Sequence, residues 1–214
     1  MEIRQTINVI GAMFLGTILT EIAYHIVMKW KRAKLKGNAT DTVQTLFFPD
    51  REVACKDYFT QRHGCTNQRC KFAHDAHNSY GQLLRFLSCT CISLEVCVYT
   101  ITCADLANIL IGLHNKGVVV KIITDGEKEN ALGSQINRFR EEGIQVRVDK
   151  SSYFMHHKFV IIDDKMLLNG SFNWTRQAVT GNHENLMVTT CPELLFEYRN
   201  EFDKLWKLYE PKVR

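Results

Sequence analysis

The stretch from residue 156 to residue 173 constrains this chain most, because it combines two apolar segments with polar residues at fixed spacings. Residues 159–162 and 166–168 are apolar runs of the length typical of buried strands. His156 and Lys158 lie two residues apart at the start of the first run, and a strand places both side chains on one face. The stretch follows the pattern H-x-K-x4-D-x6-G-S-x-N. It predicts two buried strands with a polar site at the start of the first.

These polar residues meet the needs of phosphodiester cleavage without a catalytic metal. Such an enzyme needs a good nucleophile, a proton donor for the leaving oxygen and fixed cations around the phosphoryl oxygens. The neutral imidazole of His156 can attack phosphorus and form a phosphohistidine, while Lys158 binds the phosphoryl oxygens. A second, protonated imidazole can protonate the leaving group and then activate water. Ser171 and Asn173 add neutral hydrogen-bond donors.

The chain carries one copy of the pattern, whereas the chemistry needs two imidazoles. The other histidines are His25, His63, His74, His77, His114, His157 and His183. None of them is followed by a lysine two positions on and an aspartate five further. We therefore predict a homodimer in which two-fold symmetry brings both His156 side chains to one phosphate. The alternative, a surface histidine and lysine beside an ordinary core strand, is disfavoured by the full spacing.

Further residues receive roles around this pair. Gly170 and Ser171 are expected to begin a helix through residues 174–177, whose N-terminus would help to bind phosphate. Glu184 is a candidate partner for the far imidazole nitrogen, where a carboxylate would fix the tautomer; the alternative is a surface acid in a loop. Asp163 belongs to the catalytic motif but lies beyond the strand, so we expect it to brace the motif through hydrogen bonds.

The N-terminal part differs in composition from the rest. Residues 1–36 hold six Lys or Arg and two Asp or Glu, which accounts for the net charge of +4, while residues 37–214 are neutral overall. A nucleic-acid surface would therefore be a local groove rather than a global field. Residues 7–28 are mostly apolar and would span about 33 Å as a helix, enough for a bilayer. Basic residues follow directly, which predicts a cytosolic C-terminal side.

This composition predicts four parts: a tail over residues 1–6, a transmembrane anchor over 7–28, a basic juxtamembrane linker over 29–44 and a catalytic domain over 45–214. Glu21 and His25 lie four apart on one helix face and weaken the predicted span. A buried or amphipathic surface helix is the alternative.

Eight cysteines in a cytosolic chain do not indicate disulfides. Four residues of metal-ligand type follow the spacing C-x9-C-x4-C-x3-H: Cys55, Cys65, Cys70 and His74. Three thiolates and one imidazole fit a structural Zn²⁺ site, and a polar stretch with little core gains stability from a metal. We predict a zinc-finger insert over residues 55–74 that could also hold single-stranded RNA. His63 and His77 are substitutes for His74, and cysteines placed by chance in a loop are the alternative.

Strand and helix patterns alternate along the remaining chain. The predicted strands cover residues 45–48, 94–101, 118–124, 144–148 and 186–189, in addition to the two above, and the predicted helices cover 80–87, 102–113, 132–139 and 194–206. This alternation predicts an α/β fold, a mixed sheet flanked by helices.

The H-x-K-x4-D-x6-G-S-x-N pattern resembles the single motif of the phospholipase D superfamily, whose members cleave phosphodiesters without a catalytic metal. Other segments resemble its Zucchini family, also called mitochondrial phospholipase D or mitochondrial cardiolipin hydrolase. They are the N-terminal anchor, residues 46–49, the cysteine-rich insert, and residues 133–136, 143–147, 155–159 and 170–175. The resemblance runs nearly end to end. The cysteine spacing departs most, both from this family and from CCCH zinc fingers.

The resemblance implies a phospholipase D-like fold and a homodimer on the mitochondrial outer membrane, with a single-pass anchor and the catalytic domain facing the cytosol. It implies endonuclease activity on single-stranded RNA that forms piRNA 5′ ends, with piRNA-pathway proteins as partners. Hydrolysis of cardiolipin to phosphatidate is also implied. His156 carries over as nucleophile and, from the partner chain, as acid, while Lys158 and Asn173 carry over as phosphate binders.

Three functions therefore compete. A narrow basic groove would suit the nuclease, and a wide apolar channel would suit the lipid hydrolase. The third is a non-catalytic RNA-binding membrane tether, and the intact set of His156, Lys158 and Asn173 disfavours it.

Overall fold

A computed structural model of the chain describes residues 20–27 and 41–211. Residues 20–27 are helical, and the predicted tail together with most of the predicted anchor and linker lies outside the described residues. No helix in the described part of the chain has the length and apolar character needed to cross a bilayer. The chain divides into two units after residue 40, and the second unit, of which residues 41–211 are described, contains the sheet and its helices.

Seven strands of the second unit form one mixed sheet. They are β1 (Val43–Phe48), β2 (Ser93–Val98), β3 (Val119–Asp125), β4 (Gln145–Asp149), β5 (Lys158–Ile162), β6 (Met166–Gly170) and β7 (Glu184–Thr189). Their order across the sheet is β1-β7-β6-β5-β2-β3-β4. The β2–β3 and β3–β4 pairs are parallel, and every other pair is antiparallel. This confirms the mixed sheet predicted from strand–helix alternation.

Six helices of this unit flank the sheet. They are α1 (Lys56–Thr60), α2 (Ser79–Ser88), α3 (Ala104–His114), α4 (Ile136–Glu141), α5 (Arg176–Thr180) and α6 (Pro192–Leu208). Buried residues of α2, α3, α4 and α5 pack on one face of the sheet. Buried residues of α6 pack on the other face, where Arg199 also pairs with the buried Glu95 of β2 at 2.9 Å. The fold is therefore a three-layer α/β/α sandwich.

Strand β5 lies at the centre of this sandwich. Its alternate side chains enter different cores: Val160 and Ile162 face the α2–α5 side, and Phe159 and Ile161 face α6. All four are buried, as expected for a strand covered on both faces. The predicted alternation along this strand is confirmed.

The register of the sheet decides which residues meet at its edge. Lys158 begins β5 and pairs with Val98, which ends β2. Asp125 ends the neighbouring parallel strand β3. Ligands of open α/β sheets bind outside the carboxyl ends of parallel strands. The sheet thus delivers His156 and Lys158 to the edge where a site is expected.

Candidate active site

His156 and Lys158 form the centre of the site. The Nζ of Lys158 lies 3.3 Å from Nδ1 and 3.4 Å from Nε2 of His156, and it donates to the His156 carbonyl oxygen at 3.0 Å. Lys158 is only 9% exposed. The two side chains share one face, as the strand period predicts, and together they place a cation beside an imidazole.

The surroundings favour the neutral imidazole. Burial lowers the pKa of His156, and the positive charge of Lys158 lowers it further, while Asp125 acts in the opposite direction. Burial also lowers the pKa of Lys158, opposed by the charge of Glu184. Because an imidazole attacks only through an unprotonated nitrogen, the pair holds His156 in the nucleophilic form at neutral pH.

His157 points away from this pair. Its ring lies 5.6 Å from that of Phe159, its Nε2 lies 3.8 Å from a carboxylate oxygen of Glu201, and its side chain is about half exposed. Its carbonyl oxygen accepts a hydrogen bond from the N–H of Tyr99 at 2.9 Å. His157 is therefore a structural and surface residue.

The predicted helix at Gly170 is wrong. Gly170 ends β6, and α5 begins only at Arg176, where the Thr175 hydroxyl caps it by accepting from the N–H of Ala178 at 3.0 Å. A Cβ on Gly170 would lie 2.0 Å from the carbonyl oxygen of Asn185, so this glycine serves close strand approach.

Long-range backbone pairing explains why residues 171–175 stay outside a helix. The N–H of Trp174 donates to the Thr100 carbonyl at 3.0 Å, and the Trp174 carbonyl accepts from the N–H groups of Thr102 and Cys103 at 2.8 Å. These bonds hold Trp174 extended beside residue 101. The site therefore has a loop, not a helix N-terminus, at this position.

Ser171 and Glu184 form a hydrogen-bonded unit in this loop. The Ser171 hydroxyl donates to one carboxylate oxygen of Glu184 and accepts from the N–H of Asn185 at 3.1 Å. The Nδ2 of Asn182 donates to the other oxygen of Glu184 at 3.0 Å. Within the described residues, these hydrogen bonds take the place of the predicted bond from Glu184 to the imidazole. The negative charge of Glu184 acts on the site by opposing the fall in the pKa of Lys158.

Asn173 lies in the same loop with one unsatisfied atom. Its Oδ1 is buried and has no hydrogen-bond partner among the described residues. Buried polar atoms are usually paired because leaving one unpaired costs about 1–3 kcal/mol. Rotation of an amide exchanges its oxygen and nitrogen, so this position can present a donor to an incoming oxygen.

Asp163 lies at the opposite end of β5, about 17 Å along the strand from Lys158 at about 3.4 Å per residue. Its carboxylate accepts from the N–H groups of Cys91, Ile92 and Ser93 at 3.0, 2.7 and 3.0 Å. Partial burial raises its pKa, but these backbone donors outweigh it and leave the pKa below its ordinary value. Asp163 is therefore a brace that does not touch the reacting atoms.

The sequence analysis did not identify two residues of the site, Tyr99 and Asp125. The ring of Tyr99 lies 4.6 Å from the ring of His156, and Lys158 lies 5.5 Å from the Tyr99 centroid. The buried carboxylate of Asp125 accepts from the N–H of Met155 at 2.9 Å and so fixes the chain entering His156. Both follow strand ends at the carboxyl edge, which is the pattern that would have found them.

The predicted zinc ligands also come together. The ligand atoms of Cys55, Cys65, Cys70 and His74 all lie within 4.8 Å of one another. Zn–S bonds of about 2.3 Å place the sulfurs of a tetrahedral site about 3.8 Å apart, so the four residues fit this metal. The backbone of Phe72, with His74 and the other cysteines, lowers the pKa of Cys70 to about 7, while burial raises that of Cys55 to about 11.

Comparison with known proteins bears on the whole unit. The family model "Cardiolipin synthase, PLD-like domain" matches residues 83–206. A protein of Chlamydomonas reinhardtii described as a mitochondrial cardiolipin hydrolase is 46% identical over 168 residues, covering 78% of this chain and 74% of that protein. A Danio rerio protein of the same description is 34% identical over 212 residues, covering 99% and 91%.

Solved structures share the fold. Nuc of Salmonella typhimurium, described as a phospholipase D family member, superimposes with a TM-score of 0.60 at 23% identity, covering 78% of this chain and 95% of Nuc. NucT of Helicobacter pylori gives 0.59 at 23% identity, covering 78% and 97%.

The family match, the relatives and the shared fold make the chain a phosphodiesterase of the phospholipase D superfamily. Within that superfamily it belongs to the family of the mitochondrial cardiolipin hydrolases, also called the Zucchini family.

Proposed function

We propose that this protein hydrolyses phosphodiesters through a covalent phosphohistidine at His156. The observation that carries the proposal is the imidazole of His156, whose pKa is lowered, beside a buried lysine whose Nζ lies 3.3 Å away. The imidazole nitrogen forms a bond to phosphorus, and the bond from phosphorus to the leaving oxygen breaks. Lys158 and Asn173 bind the phosphoryl oxygens, and Ser171 orders their loop. No metal takes part in this chemistry.

The proton for the leaving oxygen comes from His156 of a second copy, so the working unit is a homodimer. After the first product leaves, that imidazole takes a proton from water, and the water displaces His156 from phosphorus. This proposal is supported by the position of His156, because the chain brings this one imidazole to the edge of its sheet.

Single-stranded RNA is the first candidate substrate. Attack on phosphorus with the 3′ oxygen as leaving group ends in a 5′-phosphate, which is the end that a piRNA precursor needs. Resemblance to the Zucchini family supports this activity and partnership with piRNA-pathway proteins. A protein tether without catalysis is disfavoured by the complete site.

Cardiolipin is the second candidate substrate. The relatives are described as mitochondrial cardiolipin hydrolases, which favours this substrate, and its product would be phosphatidate. Those descriptions also support a mitochondrial location, and the apolar run over residues 7–28 supports an outer-membrane anchor with the catalytic unit in the cytosol.

Full-length protein in detergent, offered single-stranded RNA, duplex RNA and cardiolipin vesicles, tests the proposal. Cleavage of the single strand should leave a 5′-phosphate and vanish in His156→Ala. His157→Ala, which changes the exposed neighbouring imidazole, should keep it. A 5′-hydroxyl product, or cleavage that survives in His156→Ala, would refute the mechanism.

The dimer is tested by mixing wild-type protein with inactive His156→Ala protein at equal amounts, after unfolding and refolding together. A shared site leaves about a quarter of the dimers intact, and independent sites leave about half of the activity. Activity near half would contradict the shared site.

We also propose that Cys55, Cys65, Cys70 and His74 hold one structural Zn²⁺ that secures the insert. Metal analysis of the purified protein should find one zinc per chain, and Cys70→Ser should lose it. Cys89→Ser, at an exposed cysteine outside the cluster, should retain it. Equal zinc content in both variants would disprove the assignment.

A further inference from the structure

Two adjacent aromatic side chains stand exposed immediately before the catalytic histidine. Tyr153 is 83% exposed and Phe154 is 57% exposed. His156 follows Phe154 by two residues along the chain. Neither ring has a role in the chemistry proposed for His156.

The exposure of these rings is fixed by the surrounding backbone. Ser151 bonds to the Asp149 carboxylate through its N–H at 2.8 Å and through its hydroxyl at 3.0 Å. The N–H of Tyr153 donates to the Ser151 hydroxyl at 3.2 Å. On the far side, the N–H of Met155 donates to Asp125 at 2.9 Å. The loop is tied at both ends, so it presents its rings to solvent in a prearranged position.

Ring contacts connect this loop to the reactive pair. The Phe154 ring lies 5.7 Å from the Tyr99 ring, which lies 4.6 Å from His156. Two ammonium groups flank Tyr99: Lys158 at 5.5 Å and Lys128 at 4.9 Å from its centroid. A hydrogen bond to Tyr99 raises the pKa of Lys128, which keeps that group cationic. Two cations therefore lie beside Tyr99, and the exposed ring of Phe154 lies on the outer side of Tyr99.

This alternation of cations and open rings matches a polynucleotide. A single strand alternates anionic phosphates with flat bases, and proteins bind such strands by pairing cationic groups with aromatic stacking surfaces. An acyl chain has no flat face, so it gains as much from a branched aliphatic side chain as from a ring. Ring shape, rather than apolar area alone, is the property that separates the two substrates.

We propose that Phe154, with Tyr153 beside it, is a stacking platform for the base next to the scissile phosphate, and that it positions single-stranded RNA on His156. This inference rests on the proposed nuclease activity and assigns its specificity to a named ring. Lys128 binds the neighbouring phosphate, so the strand crosses the platform with its cleaved phosphate over the imidazole.

The test compares Phe154→Leu with Phe154→Trp in the full-length protein. Leucine keeps the apolar character and loses the flat face, so kcat/KM on single-stranded RNA should fall about tenfold. Tryptophan should retain wild-type activity. Cleavage of an oligonucleotide in which every base is replaced by an abasic residue, which has no flat ring to stack, should be equal in both variants, and thermal unfolding should confirm that both are folded.

An abasic site moved along the oligonucleotide locates the base. In wild-type protein, one position beside the cleaved bond should lower kcat/KM about tenfold, and in Phe154→Leu the same change should have little further effect. If the abasic site and Phe154→Leu lowered kcat/KM independently, so that their effects multiplied, the stacking proposal would be overturned. Wild-type RNA cleavage by Phe154→Leu would also overturn it.

Two other occupants of this surface predict different results. Loss of binding to anionic vesicles in Phe154→Ser, with Phe154→Leu unaffected, would assign the surface to a membrane and overturn the proposal. A monomeric Phe154→Ser with a dimeric Phe154→Leu would assign it to a second copy, also against the proposal. A wild-type protein that cleaves no RNA would remove the nuclease function itself, whereas cleavage insensitive to Phe154 removes the platform alone.

Discussion

The two ends of strand β5 differ in how well their polar groups are satisfied. At one end, Asp163 is bonded to three backbone N–H groups. At the other end, Lys158 is buried against His156, and Asn173 in the adjacent loop has a buried amide oxygen without a partner among the described residues. One end is fully hydrogen-bonded, and the other holds a buried cation and a buried amide oxygen without a partner among the described residues.

This contrast teaches how one short motif serves two purposes. The apolar residues between the two ends are buried on both faces and hold the spacing rigid. Within this motif, Asp163 contributes stability, while Lys158 carries the unfavourable burial of a charge. Active sites often carry such locally unfavourable groups, supported by the surrounding structure.

The largest expected effect is at the reactive end. His156→Gln removes the nucleophile, so hydrolysis of bis(p-nitrophenyl) phosphate should fall by at least about 10³-fold. The free energy of unfolding in urea should change by less than about 0.5 kcal/mol, because no backbone pairing is lost. His157→Gln is the matched control and should retain activity. A large loss of stability in His156→Gln would erase the contrast between the two ends.

The opposite result is expected at the braced end. Asp163→Ala leaves three N–H groups without their acceptor and should lower the free energy of unfolding by about 2–4 kcal/mol. Asp163→Asn keeps one acceptor oxygen and suits the positive φ of 51° at this position, so it should lose about half as much. Urea denaturation measures both. A fully stable but inactive Asp163→Ala would place this residue in the chemistry instead.

The brace also has a defined pH dependence. Because the folded-state pKa of Asp163 lies below its ordinary value of 3.8, its stabilisation is complete above that value. It is lost as the pH falls through the folded-state pKa. The stability difference between wild type and Asp163→Asn should therefore shrink only in this acidic range.

Asn173 should show a trade between stability and activity. In Asn173→Leu, a side chain whose buried amide oxygen has no partner among the described residues becomes an apolar side chain of similar size, so the free energy of unfolding should stay constant or rise by up to about 1 kcal/mol. Phosphodiester hydrolysis should fall about 10²-fold, because a phosphate donor is lost. Thermal unfolding and kcat/KM measured on one preparation test both parts. A destabilised Asn173→Leu would mean that the amide has a structural partner.

The smallest effect is electrostatic. Lys158→Gln removes a positive charge beside His156, so the pKa of that imidazole should rise toward its ordinary value, while burial continues to hold it below. Histidine NMR titration follows the change, with the exposed His157 as an internal reference. An unchanged pKa for His156 would assign its whole shift to burial.

The sequence predicts the local parts of this site well. The period of two along β5 places His156 with Lys158 and separates Val160 from Phe159, because strand geometry alone decides it. The ligand atoms of the four predicted zinc ligands also lie within 4.8 Å of one another, because these residues are close together in the sequence. The bracing role of Asp163 follows from its position after the strand.

The remaining features depend on contacts distant in sequence. The backbone of Trp174 pairs with residues 100–103 instead of starting a helix at Gly170. Glu184 bonds to Ser171 across the β6–β7 pair. Tyr99 reaches His156 because β2 and β5 are neighbours in the sheet. The pairings of Trp174 and Glu184 leave no local pattern, whereas the place of Tyr99 after the end of β2 is a signal that the sequence does carry.

The position of β1 carries a consequence for synthesis. This strand is the first of the catalytic unit along the chain, yet it pairs only with β7, some 140 residues later. During translation, residues 43–48 leave the ribosome long before their hydrogen-bonding partner exists. Until then, their backbone groups form an open edge available to other extended chains. Chaperones that shield nascent strands should therefore matter most for this segment, and this side of the sheet forms only after β7 has been synthesised.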